Sequence, residues 1–455
     1  MIEFVLVMVG VLLTVVVWFL ILKRWSLGLE LYILFIPLSG AVELWLHPAA
    51  WAVLIKDVLF VTPAYIGFIL SNELKPALLG MPRSLGALMV LFVCLVLVQA
   101  VNPEGPGVYA TLIGLKVWLF YFPMILLGRA YVRDLASLLR LSRLMIGLIW
   151  LPCMVGILQW VLALRYGQAY AIGLFYGAAA RDATQGFTQF DNGLMRIPST
   201  FAFPAQYLNY VVCMFIPVLG CSTIEVATVW QKVRLASFGL LCVAGFMSGV
   251  RSAFVMIPLA LSCFYFIMNG VRGAVWSGFV IAAFLVVSLS ISKVDPGGLL
   301  QMESDLTQNY AASQTGLLTD AVQLTLIGRG VGTSTGAARL AIDNPDEFVG
   351  FESYYAKAVA ELGVLGCALI VVLQLWLLRW ALRIHSLGST IAPYAAAIAA
   401  ALLTFLVCDY KGSSLDLDPV NMLYWLFVGV LFSLPGIKAG DWENAGPAPD
   451  LIALG

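Results

Sequence analysis

The chain has 455 residues, 62% hydrophobic and 11% charged, where a soluble domain carries about 25% charged residues. So few charges cannot clothe a 49.4 kDa protein in water, and the composition excludes an array of soluble domains. Its 25 basic and 25 acidic residues cancel, which leaves no basic excess for a nucleic-acid partner.

A membrane span takes about 20 apolar residues. In chain order, stretches of this kind run over 2–22, 27–46, 51–70, 85–101, 109–128, 144–164, 203–220, 235–249, 252–269, 274–292, 351–378, 390–408 and 421–436. They predict an all-α polytopic integral membrane protein of about thirteen transmembrane helices. Lys23-Arg24 follows the first apolar run instead of preceding it, so that run is expected to span and not to be a cleaved signal. The short stretch 235–249 meets the next through Gly249-Val250-Arg251, which predicts a tight glycine turn. Residues 1–292 then hold the earlier helices with an outer loop at 165–202, 293–350 form a large outer loop, 351–436 hold the last helices, and 437–455 are a cytoplasmic tail.

Sidedness follows from Lys and Arg. Lys23, Arg24, Lys75, Arg83, Arg129, Arg133, Arg140, Arg143, Lys232, Arg234, Arg272, Arg379, Arg383 and Lys438 fall on one alternating set of connections, while 47–50, 102–108 and 409–420 hold only Lys411. The first set is expected in the cytoplasm. Within the large outer loop, Leu306, Tyr310, Leu317, Leu318, Val322 and Leu326 are spaced for an amphipathic helix over 303–326, expected to lie on the membrane surface over the bundle. A glycine-rich turn, Gly328-Arg329-Gly330-Val331-Gly332, ends it.

The eight cysteines lie in or at the ends of apolar runs without metal-ligand spacing, and His47 and His385 are the only histidines. That pattern assigns no disulfide framework, no metal and no cofactor. Phosphate-binding loops, metalloprotease His-Glu-x-x-His and Gly-x-Ser-x-Gly elbows do not occur.

Charges on the outer side carry the functional reading. Arg196 precedes a span, Arg251 sits at a turn between two spans, Arg329 lies in the glycine-rich turn and Arg339 follows it. Guanidinium groups bind phosphate through a bidentate fork, so arginines converging on one outer cavity would suit a lipid diphosphate. Interfacial arginines also snorkel to headgroups without further role. Arg196 and Arg251 together favour function, because both sit at tight turns on the face that positive charge avoids.

Glu352, at the outer end of a span, is the acidic candidate; partial burial would tune its carboxylate for general-base work, whereas a helix-start acid favoured by the macrodipole is the plainer alternative. Lys357 and Glu361, four apart on one helix, are expected to neutralise each other. Lys116, about two turns inside its span, needs a partner; Lys56-Asp57 is expected to be self-compensating, and Glu43 reads as a surface or a cavity acid.

Several segments in order resemble the O-antigen polymerase/O-antigen ligase superfamily of bacterial membrane glycosyltransferases. They are Arg196-Ile197-Pro198-Ser199-Thr200-Phe201 with Pro204 and Tyr207, Ser248-Gly249-Val250-Arg251-Ser252, Ile327 to Thr333, and Glu352-Ser353-Tyr354-Tyr355 followed by Glu361-Leu362-Gly363-Val364-Leu365-Gly366. The likeness covers about residues 195–380. The stretch Asp416-Leu417-Asp418-Pro419 and Asn421 to Trp425 is similar to exopolysaccharide members. Where the ligase branch usually carries a histidine this chain has Glu352, a departure that fits polymerases better.

The resemblance implies a glycosyltransferase C-type helical bundle in a bacterial inner membrane with its site facing the periplasm. It implies inverting, metal-independent transfer of a polyprenyl-diphosphate-linked glycan to a sugar hydroxyl of a second lipid-linked unit. Arg196 and Arg251 would stabilise the diphosphate, Glu352 would take the hydroxyl proton, and Arg329, Arg339, Lys357, Lys116, Ser199 and Tyr207 would bind substrate. Membrane lipid and optionally a chain-length regulator would be partners. A ligase acting on another acceptor and a flippase or transporter for a lipid-linked sugar stay open as alternatives.

Overall fold

The computed structural model describes residues 2–47, 50–188, 195–292, 310–338 and 348–437. Arg339, the first part of the amphipathic stretch (303–309) and the tail beyond 437 lie outside the described residues.

The helices are α1 Ile2–Lys23, α2 Trp25–Trp45, α3 Thr62–Leu70, α4 Leu74–Leu79, α5 Arg83–Ala100, α6 Val108–Leu115, α7 Met124–Tyr131, α8 Leu135–Leu148 and α9 Trp150–Tyr166. They continue as α10 Gln168–Thr188, α11 Pro204–Gly220, α12 Thr228–Met247, α13 Ala253–Ser292, α14 Tyr310–Leu324, α15 Tyr354–His385, α16 Ala392–Cys408 and α17 Val420–Ser433. No strand occurs among the described residues. Seven helices are long and apolar enough to cross a membrane, and four shorter apolar ones run over Gly10–Lys23, Pro204–Gly220, Ala392–Cys408 and Val420–Gly436.

Local chemistry starts and bends these helices. Asp134 caps α8 by accepting the Ser137 N–H at 2.7 Å while Ser137 Oγ accepts the Asp134 N–H, a reciprocal capping box. The turn expected between 269 and 274 falls at Gly270, whose positive φ bends α13 into two segments. Helices α11 and α16 are buried along nearly their whole length and pack on each other, and α16 also packs on α13 and α15. Its alanines, Ala395 to Ala397 and Ala399 to Ala401, allow that close approach without polar cost. Helices α7 and α17 meet at Gly128 and Gly429, where a Cβ on either would overlap a carbonyl oxygen of the other helix.

Helix α15 is broken at Gly363, which takes φ 78°. The loop after α14 fills the break: Val364 N–H donates to the Leu326 carbonyl at 3.0 Å and Arg329 N–H to the Ala360 carbonyl at 2.8 Å. The backbone groups freed at the break are thus satisfied by the protein itself. Helix α14 forms where amphipathic spacing predicts one and lies over the bundle. Leu317 and Leu318, both half-buried, pack on Ala356 and Val359 of α15.

Connections expected on the same side touch one another. At one end Arg143 pairs bidentately with Glu225 at 2.8 Å, and Arg133 pairs with Glu73. At the other, Asn102 donates to the Gly328 carbonyl at 3.0 Å and Tyr354 N–H to the Gly412 carbonyl at 2.9 Å. The second end is the one that the charge count expects to face outward.

Candidate functional site

The connection 409–420, between α16 and α17, organises the charges of that second end. Three groups of side chains meet on it.

The first group is cationic. Ile197 N–H donates to the Ser248 carbonyl at 3.0 Å. Gly249, at φ 69°, lets the chain pass there, since a Cβ would overlap the Met195 carbonyl oxygen. The tight turn expected at 249–251 is thus present, and it seats the Arg196 strand of chain directly beside the Arg251 turn. Lys411 joins them: burial, then the Arg251 and Arg196 guanidiniums, bring its ammonium down to about 8. Like charges gathered at one place favour an anion between them.

The second group surrounds the first turns of α15. Lys357 is 1% exposed, pairs with Asp416 and lies 5.0 Å above the Trp118 ring. Glu361, fully buried, accepts from Trp118 Nε1 at 2.7 Å, Ser334 N–H at 2.9 Å and Thr335 Oγ1 at 2.9 Å. The expected Lys357–Glu361 neutralisation is therefore corrected: each is taken by a nearer partner from another element. Burial raises the Asp416 carboxyl, and Lys357 works against that rise.

The third group is an ionic network at the ends of two π-helical segments, Asp57–Val61 and Lys116–Phe120, a distortion frequent at functional sites. Lys116 reaches Asp57 at 2.6 Å and Asp418 at 3.8 Å; Lys56 reaches Asp418 at 2.9 Å and Asp57 at 3.8 Å. Tyr121 donates to Asp57 at 2.6 Å, and its hydroxyl lies 2.9 Å from Asp418 Oδ2. Lys116 thus has its partner, while Lys56-Asp57 is not self-contained, since Asp418 stands closer to Lys56. Burial raises the Asp418 carboxyl, but Lys56 and Lys116 outweigh it and hold it below the usual range. Glu43, half-buried, lies within electrostatic reach of Lys56, Asp418 and Lys116.

The remaining candidates scatter. Glu352 is exposed, so the partial burial expected for it is absent; it stands two residues from Tyr354, whose N–H is bonded to the 409–412 turn. Arg329 is half-buried at the break in α15, its backbone tied to Ala360. Ser199 is buried, with φ 54°; its hydroxyl bonds the Pro152 carbonyl and its carbonyl accepts from Gln159 and Tyr176. Tyr207, 1% exposed, packs between Phe201 and Gly156. Both are core residues in this structure.

Residues missed in the sequence include Lys411, Asp409, Trp118 and Tyr121. Asp409 is fully buried, accepts the Ser414 N–H at 2.9 Å, and is pushed by burial up to about 7. One available signal was the density of Asp409, Lys411, Asp416 and Asp418 in a connection otherwise poor in charge.

Fold and site together define an all-helical protein with membrane-compatible helices and a charged, partly buried end built on one short connection. The chain matches no known protein-family profile and no curated protein sequence.

Proposed function

We propose that the protein is a membrane glycosyltransferase of the O-antigen polymerase type, which joins lipid-linked oligosaccharide repeat units at the outer leaflet of a bacterial inner membrane. In this reading the shorter apolar helices and both arms of α13 also span, giving about thirteen crossings in a glycosyltransferase C-like bundle. The observation that carries it is the backbone bond from Ile197 N–H to the Ser248 carbonyl, which seats Arg196 beside the Arg251 turn, with Lys411 near enough for both guanidiniums to act on its ammonium.

A polyprenyl diphosphate leaving from the donor sugar develops negative charge as the glycosidic bond breaks. Arginine forks and a third cation placed beforehand at that charge stabilise the transition state more than the ground state. The attacking hydroxyl of the acceptor sugar forms the new bond to the anomeric carbon and gives its proton to Glu352, exposed at the same end. Lys357 and Lys116, each tied to aspartate, hold the surrounding helices in register in this mechanism and do not bind substrate directly.

A transporter reading draws on a different observation: the break in α15 at Gly363 and the buried ionic network of Lys56, Asp57, Lys116 and Asp418, features that transporters use. Reconstitution with lipid-linked repeat units, without nucleotide or ion gradient, separates the readings. Longer glycans support the polymerase, glycan on a different acceptor the ligase, and translocated but unlengthened lipid the flippase.

A further inference from the structure

At the end opposite the cation group, α4, α7, the last turns of α15 and the end of α17 enclose a cleft of about 660 Å³. Its lining includes Glu73, Gly80, Arg129, Arg133, Trp380 and Phe432. Three buried polar atoms on this lining have no hydrogen-bond partner among the described residues: Arg129 Nη1, Trp380 Nε1 and Glu73 Oε2. Two are donors, one of them cationic, and the third is an acceptor on a carboxylate whose other oxygen is already held by Arg133.

That set is matched to a particular chemistry. A phosphate ester accepts from guanidinium and indole N–H, but its oxygens cannot satisfy the remaining acceptor, Glu73 Oε2. An ammonium a few bonds from the phosphate can donate to that oxygen as a third contact. The surroundings suit a membrane interface, where tryptophans gather at headgroup level: Trp380 stacks on Trp376 with centroids 5.4 Å apart, and both rings lie against Phe432. Beside the cleft, Leu78 and Leu79 of α4 are 50% and 75% exposed, a surface for acyl chains.

We propose that this cleft binds the phosphoethanolamine headgroup of a membrane lipid, its phosphate on Arg129 and Trp380 and its ammonium on Glu73. The site is independent of the outer-end chemistry.

Native mass spectrometry of the full chain, released from micelles doped with phosphatidylethanolamine, phosphatidylglycerol or inorganic phosphate, tests it. The wild type retains phosphatidylethanolamine in preference to the other two. Arg129→Ala lowers its occupancy at least about tenfold, the loss of about 1.4 kcal/mol of binding. Gly80→Ala does the same with every donor kept, because its Cβ overlaps Arg129 Nη2 and displaces the guanidinium. Glu73→Gln erases the preference over phosphatidylglycerol. Should Arg129→Ala fail to fold, Gly80→Ala carries the test. Equal retention by wild type and a folded Gly80→Ala protein overturns the proposal. So does equal binding of the two lipids by the wild type, or occupancy by inorganic phosphate in place of lipid.

Discussion

Glu361 accepts the indole N–H of Trp118 at 2.7 Å across 243 residues of chain. The bond joins α15 to the π-helical segment after α6, and the same carboxylate takes Ser334 and Thr335. Replacing Glu361 by Ala strands all three donors, one a backbone N–H. A loss of about 3 kcal/mol or more follows from about 1–3 kcal/mol per buried orphan group. Thermal unfolding in detergent measures it; a Glu361→Ala protein that melts with the wild type contradicts the assignment.

The network of Lys56, Asp57, Lys116 and Asp418 makes a second prediction. Truncating one member of a buried ion pair costs about 3–5 kcal/mol, because the other charge is left uncompensated. Lys116→Met alone is therefore expected to destabilise strongly, and Asp57→Leu added to it to restore part of the loss. A double-mutant cycle reads the coupling, expected above about 1 kcal/mol. Strictly additive effects would show that the 2.6 Å contact between Lys116 and Asp57 is not an energetic unit.

Two glycines are expected to respond oppositely to alanine. Gly363 holds φ 78°, and its Cβ would overlap the Ile327 carbonyl oxygen. Gly363→Ala should cost more than about 1 kcal/mol and detach the 326–330 loop, raising its protease sensitivity. Gly316 lies inside α14 with open space around its Cα, so Gly316→Ala should gain up to about 1 kcal/mol of helix stability. Similar behaviour of the two variants would refute the described docking.

Much of this architecture was legible in the residues, for a physical reason: burial in lipid demands long apolar runs, and those runs mark helices directly. The Gly249 turn was readable because only glycine adopts such backbone cheaply. Pairing was not readable. Lys357 and Glu361 have the spacing of an ion pair, yet α15 enters between elements that offer Asp416 and Trp118 at closer range. Lys116 found Asp57 and Asp418 from far along the chain. Ser199 and Tyr207 belong to an expected motif, but their buried places in the core are set by packing with Pro152, Phe201 and Gly156, which no local pattern encodes.

The cation group predicts a pH dependence. The Lys411 ammonium of the free protein titrates at about 8, and a bound diphosphate favours its charged form. Proton linkage then makes affinity constant below that value and decreasing above it, by at most tenfold per pH unit. Titration calorimetry with a short-chain polyprenyl diphosphate between pH 6.5 and pH 9.5 checks the sign. Lys411→Arg should flatten the curve, because guanidinium keeps its charge. For Asp409, raised to about 7 by burial, the folded state binds the extra proton. Its contribution to stability is full below the unfolded carboxylate range and is lost as pH rises toward 7.

The most direct test is glycan length in proteoliposomes supplied with lipid-linked repeat units, comparing the wild type with Arg251→Ala at matched protein level. The account predicts polymer from the wild type and, from Arg251→Ala, a folded protein that leaves the units unjoined. Polymer of normal length from Arg251→Ala, at the wild-type rate, would contradict it.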